Sequence, residues 1–117
     1  MGRLTTHILD TAQGRPAAGV RVELFALEGE SATRLREVRT NADGRCDAPL
    51  LADAALVRGR YRLRFHIGEY FRGQGLPLAD PPFVDVVPVE FGIADAAAHY
   101  HVPLLVSPWS FATYRGS

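Results

Sequence analysis

Two histidines stand one residue apart in His99-Tyr100-His101. On a strand both rings leave the same face, because side chains alternate. A neutral imidazole near pH 7 can take a proton from water, so the pair offers a general base. It also invites a metal reading, with His7 as a third ligand. No cysteine or carboxylate lies at ligand spacing nearby, and two histidines without a third fixed ligand are a weak metal signal, so no metal is expected. His7 lies between Thr6 and Ile8, and taken alone reads as a partly buried strand histidine. Arg45 follows Asp43-Gly44 at a turn. Such arginines are mostly solvent-exposed, although a fixed guanidinium can clamp a planar, carbonyl-rich ligand with its fork of donors. The chain closes on Tyr114-Arg115-Gly116-Ser117. A terminal carboxylate is ionised at neutral pH, and a strand running close to it would let it pair with an arginine or orient a histidine. His66 shares a face with three arginines, which a solvated polar face explains. Cys46 has no activating surroundings and reads as structural. Ser107, Ser110 and Ser117 occupy no nucleophile elbow.

These groups need strands to hold them. In Val20-Arg21-Val22-Glu23-Leu24-Phe25-Ala26, apolar and polar residues alternate, the mark of a half-buried strand. Arg60 to Ile67 alternates more cleanly, with Tyr61, Leu63, Phe65 and Ile67 on one side and Arg60, Arg62, Arg64 and His66 on the other. Further strands are expected at 4–9, 35–40, 83–89, 100–106 and 110–114. Short helices fit only 69–74 and the stretch near 53–57. Turns fall at Asp10 to Pro16, at Asn41-Ala42-Asp43-Gly44, at Arg58-Gly59, at Gly73-Gln74-Gly75 and at Asp80-Pro81-Pro82. Seven or so short strands with regular turns predict an all-β sandwich. On the strand at 100–106, Tyr100, Val102, Leu104 and Val106 form a core row. The opposite row, His99, His101, Pro103, Leu105 and Ser107, is unusual for a surface facing water. It predicts a face covered by another subunit, or a cleft lining.

The chain has 117 residues, which argues for a single domain spanning 1–117. Hydrophobic residues make up 47% and charged residues 22%, which excludes disorder as the main state. No apolar run is long enough to cross a bilayer. The formal net charge is zero, so there is no overall field to gather phosphates, and neither nucleic acid nor membrane is an expected partner. One cysteine forbids an internal disulfide. The first residues lack a hydrophobic signal core, so a cytoplasmic location is expected.

Three segments together go beyond generic pattern. They are Leu4-Thr5-Thr6-His7-Ile8-Leu9-Asp10-Thr11 with Gly14-Arg15-Pro16-Ala17, Thr40-Asn41-Ala42-Asp43-Gly44-Arg45, and His99-Tyr100-His101-Val102-Pro103-Leu104-Leu105 with the closing Thr113-Tyr114-Arg115-Gly116-Ser117. In these the chain resembles the 5-hydroxyisourate hydrolases, transthyretin-related enzymes of purine catabolism and urate degradation. The terminal Tyr-Arg-Gly-Ser is the most specific element, and the likeness covers nearly the whole chain. Trp109-Ser110-Phe111-Ala112 departs from the family's usual residues before Thr113. The resemblance implies a transthyretin-like two-sheet sandwich of seven to eight strands with one short helix, assembled as a homotetramer, a dimer of dimers with sites at the dimer–dimer interface. It implies that His7, Arg45, His101 and Ser117 are catalytic. His7, Arg45 and Tyr114 would bind the small-molecule substrate, with His99 and Arg115 as further candidates. No cofactor is implied. The competing expectation is a non-catalytic carrier that holds a small ligand in the tetramer channel.

Overall fold

The computed structural model describes residues Met1–Ser117. Nine strands are formed: β1 (Arg3–Asp10), β2 (Arg15–Pro16), β3 (Arg21–Glu28), β4 (Ser31–Arg39), β5 (Leu51–Ala52), β6 (Gly59–His66), β7 (Val86–Ile93), β8 (His99–Val106) and β9 (Phe111–Thr113). Helix α1 (Ile67–Gly73) follows β6, and Asp53–Ala55 make one 3-10 turn. β2 and β5 are two-residue pieces laid along β1, so the expected sandwich is present. One sheet runs β2-β1-β8-β9 with β5 also on β1; the other runs β4-β3-β6-β7.

Alternation explains the layering. β1 buries Leu4, Thr6, Ile8 and Asp10 and turns Arg3, Thr5, His7 and Leu9 outward. Tyr61, Leu63 and Phe65 of β6 face the same core, together with Val22 and Leu24 of β3 and Leu104 of β8. Each such side chain contributes roughly 1.5–3 kcal/mol by leaving water. Thr6 is tolerated inside because its hydroxyl donates to the Val102 carbonyl at 2.7 Å. Asp10 is tolerated because its carboxylate accepts from the Ala12 and Gln13 amides and from Tyr70 Oη.

Three expectations shift. β4 begins at Ser31 rather than Leu35, because it is an edge strand exposed along most of its length and has no buried row to reveal it. Gly29, at φ +60°, makes the tight β3–β4 turn. β7 starts at Val86 rather than Phe83 and runs past Val89 to Ile93, with Gly92 paired to Arg60. His66 is not solvated. It is 8% exposed, and its Nε2 lies 2.7 Å from Glu23 Oε1.

The β1–β8 pair positions the site. It is parallel and central, in the register Thr5↔His101 and His7↔Pro103. Residues about 96 positions apart in sequence thereby share one outward face.

Candidate active site

The site is built on the outer face of β1 and β8 from three chain segments. His7 is placed there by the alternation of β1, whose inward neighbours Thr6 and Ile8 are buried. His101 is placed there by β8, between the buried Tyr100 and Val102. Arg45 arrives on a loop tied to the edge of β1 between its pairings with β5 and β2. Asn41 Oδ1 accepts the amides of Asp43 and Arg45, closing an Asx turn. Gly44 sits at φ +73°, and its carbonyl accepts from the Ile8 amide at 2.9 Å. A Cβ at Gly44 would collide with the Ile8 carbonyl oxygen, so glycine is required for this close approach. The loop then bridges Arg45 directly opposite His7.

On the other side, Gly116 bridges His101, its amide donating to the His101 carbonyl at 2.7 Å. Because Leu104 pairs with Thr113 and His101 with Gly116, the register is continuous across Tyr114, which falls opposite Pro103. Successive rows on this face therefore read Arg45, His7, Pro103, Tyr114 and then Thr5, His101, Gly116.

Arg3, Thr5, Arg45, His99, His101 and Ser117 line an open depression of about 360 Å³ with no hydrophobic residue in its wall. His7 lies beside it, next to Arg45. Tyr114 is 59% exposed and is not part of that wall; it lines a separate crevice with Val89, Phe91, Tyr100 and Val102. Arg115 goes elsewhere: its guanidinium lies 4.3 Å over the Tyr100 ring and donates to the His99 carbonyl at 3.1 Å. Thr5 and Arg3 are the residues that sequence reasoning passed over. The signal for them was their spacing, two and four positions before His7 on the same strand face.

Electrostatics sets the protonation states. His7 is held below the ordinary 6.5, first by burial and then by the Arg45 charge, with the Asp43 backbone and carboxylate opposing. His101 is also held below 6.5, by burial, then by Arg45 and His7, with the Thr5 backbone opposing. Both rings are therefore neutral at pH 7 and able to accept a proton. Neither Arg3 nor Arg45 has a carboxylate ion-pair partner. Their charge faces the depression unneutralised. No three His, Cys, Asp or Glu side chains converge as a metal site would require. No helix is long and apolar enough to cross a membrane.

Chemically, the face combines two neutral imidazoles with a cation able to stabilise a developing oxyanion. Such a set can hydrolyse an activated carbonyl in a planar, oxygen-rich molecule.

Residues 4–116 match the family model described as "HIUase/Transthyretin family". The 5-hydroxyisourate hydrolase of Ralstonia nicotianae is 57% identical over 117 residues, covering all of both chains. Among solved structures, Klebsiella pneumoniae 5-hydroxyisourate hydrolase superposes with a TM-score of 0.81 at 38% identity, covering all of both chains. (S)-allantoin synthase superposes with a TM-score of 0.94 at 47% identity, over 99% of this chain and 44% of that longer one.

Proposed function

We propose that this chain, which belongs to the HIUase/transthyretin family, hydrolyses 5-hydroxyisourate to 2-oxo-4-hydroxy-4-carboxy-5-ureidoimidazoline in urate degradation. The observation that supports the reading is that His101 and Arg45 share the wall of one polar depression, with His7 beside it on the strand position bridged to Arg45. A carrier would need an apolar channel but not this set.

The reaction opens the six-membered ring at an amide-like carbonyl. A neutral imidazole, His101 or His7, takes a proton as the water oxygen attacks the carbonyl carbon. Negative charge grows on the carbonyl oxygen, and Arg45 stabilises it. The ring C–N bond then breaks, and the leaving nitrogen receives a proton from an imidazolium. General base catalysis of this kind is worth about 10²–10⁴-fold. Ser117 borders the ligand, and Arg3 adds a second cation to the wall.

The site is completed by assembly. β7 and β9 are free edges flanking one crevice, lined by Val89, Phe91, Tyr100, Val102 and Tyr114. A second copy pairs along these edges, and two such dimers stack on the β1–β8 face, where the half-buried Leu105 offers apolar contact. The test is to generate 5-hydroxyisourate in situ from urate and follow its ultraviolet decay, with the oligomeric state measured in parallel. Accelerated decay by a tetramer supports the reading. A folded tetramer without acceleration supports the carrier instead, and a monomer contradicts the shared-site assembly.

A further inference from the structure

We infer that Thr5 is a positioning residue for His101, its hydroxyl holding Nδ1 so that Nε2 is the nitrogen presented to the substrate. The inference rests on the reading of the site as a hydrolase in which His101 handles the proton.

The geometry is specific. Thr5 Oγ1 lies 2.8 Å from His101 Nδ1, across the parallel β1–β8 pair where the two residues are direct partners. It is the one side-chain hydrogen bond joining the two strands on their outer face. The other flank of the ring is closed by Gly116. A Cβ there would come 2.7 Å from His101 Cδ2, so only a glycine lets the ring lie against the backbone. The imidazole is thus confined between a hydroxyl and a bare Cα.

The bond leaves Nδ1 engaged and Nε2 free. A hydroxyl can donate or accept, so Thr5 Oγ1 serves either tautomer. A base needs its lone pair on the free nitrogen, so in the working form Nε2 carries the lone pair and Nδ1–H donates to Thr5 Oγ1. During reaction Nε2 takes the proton from water and the ring becomes imidazolium. Its Nδ1–H remains bonded to Thr5 throughout, and Nε2 later returns the proton to the leaving nitrogen. Charges and protons balance within the ring. Thr5 is easily mistaken for a plain β-former, because threonine favours strands for its branching alone.

The variant Thr5→Val keeps the branching and removes the hydroxyl, while Thr5→Ser keeps the hydroxyl. Each is assayed alone and with His101→Ala, and the His101 ring nitrogens are observed by 15N NMR. Thr5→Val should lower kcat by about tenfold or more, as expected for a slightly misplaced catalytic group. KM and melting temperature should hold, and the His101 signals should move from a single Nδ1–H tautomer to a mixture. Thr5→Ser should restore both kcat and the single tautomer. In the His101→Ala background Thr5→Val should have no further effect. If His101→Ala itself keeps full activity, the hydrolase-site reading falls and takes this inference with it. If His101→Ala is inactive while Thr5→Val matches the wild type, that reading stands and the role of Thr5 is overturned. A kcat loss in Thr5→Val with an unchanged tautomer, or one repeated without His101, overturns it equally.

Discussion

On the outer face of the β4-β3-β6-β7 sheet, Glu23 is ringed by His66 at 2.7 Å, Arg34 at 3.2 Å and Arg64 at 3.7 Å. Arg21 and Arg39 reach Glu69 of α1, and Arg62 reaches Glu90 of β7. Apart from Arg60, which donates to the Gly29 carbonyl, the histidine and arginines named on that face are spent on carboxylates. The outer face of β1 and β8 also carries histidines and arginines, but Arg3 and Arg45 have no such partner there. The imidazoles are pushed toward neutrality first by burial and then by the cation beside them. The same residue types thus make a self-neutralised brace on one sheet and a poised electropositive surface on the other. What differs is where the carboxylates fall, and that is set by strand pairing.

The contrast can be broken at its most sensitive point by Arg45→Gln. Losing the cation opposite His7 should reduce kcat/KM by about 10²–10³-fold, the usual cost of removing an oxyanion donor. The same variant should raise the pKa of both His7 and His101 toward 6.5, since the Arg45 charge is a cause of their depression. Imidazole titration by NMR reads this directly. An unchanged titration would show that Arg45 does not govern the face. Gly116→Ala tests how tightly the ring is held. The added methyl must displace His101, and a shift of about 1 Å costs up to about 10²-fold in rate, with little change in melting temperature. Removing the brace should do the reverse. Glu23→Gln should leave kcat/KM unchanged and lower stability by about 1–3 kcal/mol, because the buried His66 loses its charged partner.

Acid should expose the same division. His7 and His101 have folded pKa values below their unfolded ones, so the unfolded chain binds protons first, and stability declines as pH falls below 6.5. Glu23 is held below the ordinary 4.5, chiefly by its bond to His66, so its contribution is present above 4.5 and lost as pH falls through the lower, folded value. Denaturant midpoints against pH should show the second decline in the wild type and not in Glu23→Gln.

Much of this was legible in the chain. The alternation at 60–67 marks its buried row without ambiguity, and the row from His99 to Ser107 marks the outer face on which His101 stands. The turn before Arg45 is legible as a turn. That it is sutured to β1 is not, because the suture is a backbone bond to Ile8. His66 misleads for a related reason. Its own strand shows only arginines around it, while the carboxylate that buries it comes from β3. Thr5 is invisible as a partner of His101 because parallel pairing joins distant segments with no local signature. Tyr114 and Arg115 adjoin in sequence, yet alternation sends them to opposite faces, so a motif read as one unit is divided by the strand.

The most direct test sets His101→Ala beside His66→Ala, with kcat/KM for 5-hydroxyisourate and melting temperature measured on both. His101→Ala should lose about 10²–10⁴-fold in kcat/KM and melt close to the wild type. His66→Ala should melt lower and keep its kcat/KM. A His101→Ala variant as active as the wild type, or two variants losing activity only in step with stability, would contradict the division of labour between the two faces.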